Sequence, residues 1–225
     1  MPDVKKIALV SASPKVNQNL AVSEFLAKKG ESLLKDERIE PIVVNVRRAL
    51  VHKETQDAFR SMAQADAIVL IFPLYFFCMP AMLTRFLQDF AAESPKTDHA
   101  ASVYAIVNCG FPEPEINREA MRVVERFAIR TGRTFLGGVM TGCGGMVLGA
   151  QGAPFMRSVM EPVERLFQRA GRDALADTPE PVQVDSVTVR FPRKLYFIAG
   201  NAGWRGMARK NKLKKPDLYR KPYER

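Results

Sequence analysis

The chain has 225 residues and a net charge of +10, with 47% hydrophobic and 26% charged residues, values typical of a globular protein. Its three cysteines stand at unrelated spacings and predict no disulfide framework, which favours a reducing compartment. The first apolar run, residues 7–10, is too short for a signal peptide. No apolar stretch reaches the roughly 18 residues of a membrane-spanning helix. We therefore expect a cytoplasmic protein.

Short apolar segments alternate with longer helical patterns through the first two thirds of the chain. Strands that are covered on both faces show such apolar runs with little alternation. We predict five strands, at residues 6–10, 41–46, 67–72, 103–109 and 135–141. Helices are predicted between and after them, at residues 19–35, 55–63, 79–90, 117–131 and 154–170. This alternation predicts an α/β fold, in which a parallel sheet has helices on both faces.

The C-terminal quarter differs in composition. Residues 177–181 have the turn-rich sequence of a connector, so we predict a first domain at residues 1–175 and a basic extension at residues 176–225. Within the extension, residues 182–191 are predicted as an extra strand or an extended arm, and residues 193–212 as a helix. From residue 190 onward there are twelve Lys and Arg against two acidic residues, whereas the other 189 residues have 22 of each sign. This uneven distribution of charge bears on which partners the chain binds, and the fold does not follow from it.

Polar residues follow the first predicted strand. Ligands of an open parallel sheet bind beyond the carboxyl ends of the strands, near the point where the strand order reverses. The loop there contains Ser11, Ser13, Lys15, Asn17 and Asn19 directly before a predicted helix. Hydroxyls, amides, an ammonium group and the free N–H groups of a helix N-terminus suit a phosphate. A polar turn with an asparagine helix cap explains the same residues, so the loop alone leaves both interpretations open.

The later loops at this predicted edge are aromatic or rich in glycine. Tyr75 and Phe76 are predicted to form a wall for a flat aromatic ring, and Phe77 to pack under the following helix. After the fourth strand, Gly110 allows the backbone to approach a ligand closely. The glycine-rich residues 141–146 either line the same pocket or form only a flexible connection.

Three segments together resemble a known family. The patterns strand–S-x-S-P-K-x-N-x-N–helix, strand–P-L-Y-F-x-x-M-P-A-x-L–helix and strand–N-C-G-F-P-E are similar to the NAD(P)H-dependent FMN oxidoreductases of the flavodoxin-like superfamily. The resemblance implies a doubly wound five-stranded parallel sheet of order 2-1-3-4-5 and a bound FMN. For the FMN phosphate, it implies contacts from Ser11, Ser13, Lys15, Asn17, Asn19 and the amide of Leu20. For the ring and ribityl chain, it implies Pro73, Leu74, Tyr75, Phe76, Asn108, Cys109, Gly110 and Phe111.

The activity implied by the resemblance is electron transfer from NAD(P)H through FMN to a small acceptor such as a quinone or a nitro compound. No side chain is predicted to be catalytic, and we expect a homodimer. His52 and His99 are predicted to be solvated, and the absence of Cys and His at ligand spacing predicts no metal. Cys109 and Cys143 are expected at neighbouring strand ends, where buried thiols are favoured over a redox pair.

Two other functions stay open. A flavodoxin-type electron carrier would share the fold and FMN but would deliver electrons to a protein, although such carriers are usually shorter and acidic. Alternatively, the basic tail binds an anionic surface, either a membrane or a nucleic acid, through Trp204, Tyr219 and Tyr223 among its cations. We predict instead that the tail packs on its own domain or on a dimer partner, and we expect no nucleic acid.

Overall fold

The computed structural model describes residues 4–15, 20–93, 101–176, 178–221 and 223. The strands are β1 (Lys5–Ser11), β2 (Ile39–Asn45), β3 (Ala67–Pro73), β4 (Ser102–Asn108), β5 (Thr134–Thr141) and β6 (Gln183–Val187). They form one parallel sheet in the order β2-β1-β3-β4-β5-β6. The first five strands therefore have the predicted order, and β1 lies where the order reverses.

Helices connect the strands in the right places for a doubly wound sheet. They are α1 (Val22–Leu33), α2 (Val46–Val51), α3 (Thr55–Ala63), α4 (Ala81–Glu93), α5 (Arg118–Arg130), α6 (Val147–Ala150), α7 (Arg157–Leu175) and α8 (Arg193–Lys210). Short 3-10 turns occur at Pro114–Asn117, Gly144–Met146, Pro154–Met156 and Lys215–Tyr219. The short α2 and α6 were not predicted, because neither is long enough to show a helical repeat of apolar residues.

The prediction of a five-stranded sheet is wrong, because β6 extends the sheet beyond β5, at residues that were predicted as an extra strand or an extended arm. Its register runs from Gly137 opposite Gln183 to Thr141 opposite Val187. An edge strand has one neighbour and an open side, so its sequence lacks the continuous apolar run of a central strand. Gly137 permits the pairing, because it has a φ of 139° and a Cβ there would lie 1.9 Å from the carbonyl oxygen of Gln183.

Both faces of the central strands are covered. On one face, Ile68, Leu70 and Phe72 of β3 belong to a buried cluster with apolar side chains of α3, α4 and α5. On the other face, α1 and α7 contact the strands. Every residue of β3 from Ala67 to Phe72 is buried, which explains its unbroken apolar sequence. At the carboxyl ends of β1, β3, β4 and β5, the chain continues directly into loops.

The chain divides into two units, Met1–Val189 and Arg190–Arg225. β6 lies within the range 176–225 predicted as an extension, yet it is part of the sheet of the first unit. The second unit contains α8 and the 3-10 turn Lys215–Tyr219. Among the residues that the structure describes, none of the helices is both long and apolar enough to span a membrane.

Candidate active site

The carboxyl ends of four strands meet at one edge of the sheet. In the register of the sheet, Ser11 pairs with Ile71, Pro73 pairs with Asn108, and Asn108 pairs with Thr141. The loops that follow these strands therefore begin side by side. This brings together the polar loop, the aromatic loop and the loop after β4, as expected for a site at the point where the strand order reverses.

The loop after β1 begins with a buried hydroxyl group. Ser11 is 2% exposed, and its Oγ has no hydrogen-bond partner among the described residues. Buried polar groups are normally hydrogen-bonded, so this hydroxyl needs an acceptor. The Oγ of Ser13 accepts from the N–H of Lys15 at 3.3 Å, and the Lys15 side chain is exposed. This loop thus offers a hydroxyl and a cation near the start of the next helix.

The start of α1 adds main-chain donors. Helix α1 begins at Val22, and Ala21 before it provides no side-chain cap. The first N–H groups of a helix have no partner within the helix and favour an anion. Leu20, whose amide is a predicted phosphate contact, is half-buried just before this start. The predicted contacts Asn17 and Asn19 lie outside the described residues.

The loop after β3 is a tight turn closed by two hydrogen bonds. The N–H of Tyr75 donates to the Cys78 carbonyl at 2.8 Å, and the N–H of Cys78 donates to the Tyr75 carbonyl at 2.9 Å. The two central residues, Phe76 and Phe77, have φ values of 45° and 62°. Turns of this kind normally have Asn-Gly at the centre, because a left-handed conformation costs other residues about 1–2 kcal/mol each.

The prediction that Phe77 packs under the following helix is wrong. Its side chain is 63% exposed, and Phe76 is 98% exposed. The left-handed backbone turns both side chains outward, while Met79 and Leu83 supply the buried contacts of this segment. Tyr75 is also exposed, as a wall for a flat ring requires. Pro73 and Leu74, also predicted to contact the ring, are half-buried at the end of β3.

The loop after β4 is fixed at its base and open at its tip. Asn108 is buried, and its Nδ2 donates to the Phe72 carbonyl at 3.3 Å, which ties β4 to β3. The Cys109 N–H donates to the Thr141 carbonyl at 3.0 Å. A Cβ on Gly110 would meet nothing within 4 Å, and Phe111 is 53% exposed. Gly110 and Phe111 thus leave room for a ligand.

The glycine-rich loop after β5 braces the loop after β4. The Cys143 N–H donates to the Phe111 carbonyl and the Gly144 N–H donates to the Cys109 carbonyl, both at 2.7 Å. A Cβ on Gly144 would lie 2.9 Å from Oδ1 of Asn108. From the sequence, this loop either lines the pocket or forms only a flexible connection. Its function as a brace depends on hydrogen bonds between distant residues, which the sequence did not indicate.

The two cysteines at this edge are buried and free. The Sγ of Cys109 lies 3.5 Å from the Phe111 carbonyl oxygen, and the Sγ of Cys143 lies 3.8 Å from Oγ1 of Thr188. Burial raises the pKa of both thiols above the usual cysteine range. A thiol with a raised pKa is a poor nucleophile, which favours the interpretation as buried thiols over a redox pair.

The described residues of these loops do not form a metal site. Among the described residues, no group of three or more His, Cys, Asp or Glu side chains is arranged to hold a metal ion. His52 is exposed after α2, and His99 lies outside the described residues. The groups described at this edge provide hydrogen-bonding groups, positive charge and aromatic surface.

Comparison with known families identifies a match over the segment that contains three of these loops. Residues 5–113 match the family described as NADPH-dependent FMN reductase. This range begins at β1 and ends after the loop that follows β4. No match was found among curated proteins.

Several solved structures have the same fold. An NADH:FMN oxidoreductase in its apo form is 16% identical, with a TM-score of 0.57 over 80% of this chain and 95% of that one. An NAD(P)H:quinone oxidoreductase from Methanothermobacter marburgensis is 15% identical, with a TM-score of 0.53 over 79% of this chain and 99% of that one. RosB with a bound flavin-like intermediate is 12% identical, with a TM-score of 0.59 over 76% and 79%. At these identities the likeness establishes the fold alone.

Proposed function

We propose that this chain is an NAD(P)H-dependent flavin oxidoreductase, because residues 5–113 match the NADPH-dependent FMN reductase family, and that it binds FMN at the carboxyl edge of β1, β3 and β4. We further propose that it reduces a small planar acceptor there, such as a quinone or a nitro compound. The observation that supports this location best is the buried hydroxyl of Ser11, which has no partner among the described residues.

The residues of the first loop fit a phosphate. The Ser11 hydroxyl needs an acceptor, and a phosphate oxygen is a strong one. Lys15 supplies an exposed cation, and the uncapped start of α1 supplies N–H donors and the positive end of a helix dipole. We assign Ser13 and the amide of Leu20 to the same group, together with Asn17 and Asn19 as predicted from the sequence.

The aromatic side chains fit a flat ring system. Tyr75, Phe76 and Phe111 are exposed at the ends of neighbouring strands, where a packed core would normally bury such residues. Clustered exposed aromatic groups on a protein surface usually indicate a binding site. Stacking on these rings favours planar partners, which supports an aromatic or quinonoid acceptor.

When bound, FMN supplies the capacity to accept a hydride from NAD(P)H and to pass the electrons to an acceptor. The protein's own contribution is to orient the reactants and to stabilise charge. Within the part of the chain that is described, the N–H groups of Phe76 and Phe77 donate to no other residue. Such N–H groups stabilise negative charge that develops on a bound ring. The hydrogen bond from Asn108 to Phe72 keeps the loops after β3 and β4 in register.

The proposal is tested by steady-state kinetics on the FMN-loaded protein. We expect the FMN-loaded protein, but not the protein stripped of FMN, to oxidise NADPH or NADH in the presence of a small acceptor, with 1,4-benzoquinone and a nitrofuran as probes. The variant Phe76→Ala should raise KM for these acceptors, because the ring that is 98% exposed is lost. The matched control is Val51→Ala, which removes an exposed apolar side chain from α2.

Two outcomes would contradict the proposal. One is electron delivery to a redox protein without turnover of either small acceptor, which would indicate a flavodoxin-type carrier. The other is an equal effect of Phe76→Ala and Val51→Ala on KM, which would show that the aromatic loop does not contact the acceptor.

A further inference from the structure

Helix α8 exposes large apolar side chains along its length. Leu195, Phe197, Ile198, Trp204 and Met207 are all exposed, and Trp204 is 68% exposed. Globular proteins normally bury aromatic and branched aliphatic groups, so a concentration of them on one helix needs a partner. The 3-10 turn Lys215–Tyr219 that follows adds the exposed side chains Leu218 and Tyr219.

The same segment is strongly basic. Residues 190–216 contain nine Lys and Arg and no acidic residue. Lys194, Arg205, Arg209 and Lys210 on α8 form no ion pair with any residue that the structure describes. The 189 residues before this segment are electrically neutral overall, so they offer no excess of acidic groups to balance it. The charge of this segment therefore matches a partner that is anionic.

Helix α8 has exposed apolar side chains on more than one side, since Leu195 and Ile198 lie on the side opposite Phe197, Trp204 and Met207. Phe197, Trp204 and Met207 are separated by seven and three residues and so share one face. Lys194 and Arg205 lie about a quarter of a turn from that face. The helix has 18 residues and is about 27 Å long, which suits a position along a bilayer surface. Lysine and arginine extend their charged ends toward lipid head groups while their stems cover apolar surface.

From these features we infer that residues 190–225 bind the surface of an anionic lipid bilayer, with Phe197 and Trp204 inserted among the lipids. Aliphatic groups such as Met207, on the same face as Trp204, are stabilised by transfer from water into hydrocarbon but have no comparable partner on a nucleic acid. Docking between two copies of this segment would bring two strongly positive surfaces together, which electrostatic repulsion opposes. Tryptophan and tyrosine are enriched at membrane interfaces, where one end of the ring is apolar and the other is wet.

Trp204 provides a direct test, because it is the single tryptophan of the chain. The experiment adds vesicles of phosphatidylcholine with 30% phosphatidylserine (roughly a physiological anionic fraction) to the full-length FMN-loaded protein. We expect a blue shift of tryptophan emission, and quenching by lipids that are brominated in the acyl chain. Vesicles of pure phosphatidylcholine should bind at least tenfold more weakly, because each Lys or Arg near an anionic surface strengthens binding about fivefold.

Variants separate insertion from nonspecific adhesion. The double variant Phe197→Ser with Met207→Ser keeps Trp204 and should weaken vesicle binding roughly tenfold or more. The matched control is Val123→Ser with Ile129→Ser on α5, which removes two exposed apolar groups from the first unit. The control should bind vesicles like the wild type. Both double variants should keep the NADPH oxidation rate of the wild type, since none of these residues belongs to the proposed site.

Three results would overturn the inference. The first is no blue shift with anionic vesicles. The second is an emission shift that depends on protein concentration without vesicles, which would indicate that a second copy covers α8. The third is a shift produced by single-stranded RNA and not by vesicles.

Discussion

Tyr104 on β4 donates a hydrogen bond of 2.5 Å to the carboxylate of Asp173 on α7, and both side chains are buried. Arg169, one turn earlier on α7, contacts the same carboxylate at 3.3 Å. Arg169 also donates to the main-chain carbonyls of Glu180 and Pro181, at 3.0 and 2.5 Å. These contacts fix the connector that leads from α7 to β6. The buried network therefore positions the edge strand that the apolar pattern alone did not place in the sheet.

Loss of Arg169 should destabilise the protein and loosen β6. The variant Arg169→Met leaves the buried carboxylate of Asp173 without its cation, and such a change costs about 3–5 kcal/mol. The control Arg172→Met removes an exposed ion pair with Glu180 and should cost less than about 1 kcal/mol. Urea unfolding measures both free energies, and hydrogen exchange of residues 183–187 measures the loosening. Equal costs for the two variants would contradict the importance of the network.

Stability should fall in alkaline solution through Tyr104. Burial, followed by the hydrogen bond to Asp173, raises the pKa of Tyr104 above its ordinary value of 10.0. A raised folded-state pKa means that the contribution of Tyr104 to stability is complete below pH 10 and is lost as the pH rises further. The slope from this one group approaches about 1.4 kcal/mol per pH unit. In Tyr104→Phe the free energy of unfolding should fall less steeply between about pH 10 and 11, and a slope identical to that of the wild type would refute this assignment.

Ser11→Ala should separate FMN binding from folding. A hydrogen bond to a charged partner contributes about 1.5–3 kcal/mol, so the Kd for FMN should rise roughly tenfold to a hundredfold. The free energy of unfolding without FMN should stay level or rise, because a buried hydroxyl without a described partner is removed. Ser102→Ala is the matched control, because Ser102 is buried at the opposite end of β4. FMN titration by fluorescence quenching checks this, and an unchanged Kd in Ser11→Ala would remove Ser11 from the site.

Phe77→Gly should stabilise the protein without FMN. The φ of Phe77 is 62°, which glycine adopts freely, and its exposed ring contributes little packing. Relief of the backbone strain stabilises the folded state, whereas the greater flexibility of glycine stabilises the unfolded chain. Because the first effect is larger, the free energy of unfolding should rise by about 1 kcal/mol. Thermal unfolding should show a higher Tm. A lower Tm would mean that the Phe77 ring supports the turn.

The three thiols should differ in reactivity with iodoacetamide. Cys109 and Cys143 are buried with raised pKa values, whereas Cys78 is partly exposed. Alkylation of the native protein near pH 8 should modify Cys78 first, and peptide mass spectrometry identifies the modified site. Rapid alkylation of Cys109 or Cys143 would instead support a redox function for that residue.

The sequence predicted the central architecture because buried strands and amphipathic helices have strong local patterns. The apolar repeat at residues 79–90 corresponds to α4 at Ala81–Glu93, and the run at residues 67–72 corresponds to β3 at Ala67–Pro73. The apolar pattern of each element is formed by the residues that contact the core, so the local sequence is sufficient to predict the element. By contrast, the exposed edge strand β6 was predicted only as an extra strand or an extended arm, because its place in the sheet depends on contacts of Arg169 with the connector at Glu180 and Pro181, which no local pattern records.

The juxtaposition of the candidate loops could be predicted from the sequence, but their conformations could not. The strand ends predicted that these loops meet at one edge of the sheet, since parallel strands all point the same way. The outward position of Phe77 depends on the sign of φ in the turn, which the residue type opposes. The bracing of Cys109 and Phe111 by the loop after β5 depends on long-range main-chain hydrogen bonds. Such features follow from tertiary structure and have no local signature.

The most direct test of the central claim is anaerobic reduction of the protein loaded with FMN and freed of excess cofactor. The visible flavin absorbance is followed after addition of NADPH, and separately NADH. We predict that FMN stays with the protein through gel filtration and that at least one of the two nicotinamides bleaches its absorbance rapidly. Failure to retain FMN, or an oxidised flavin spectrum that neither nicotinamide changes, would contradict the account.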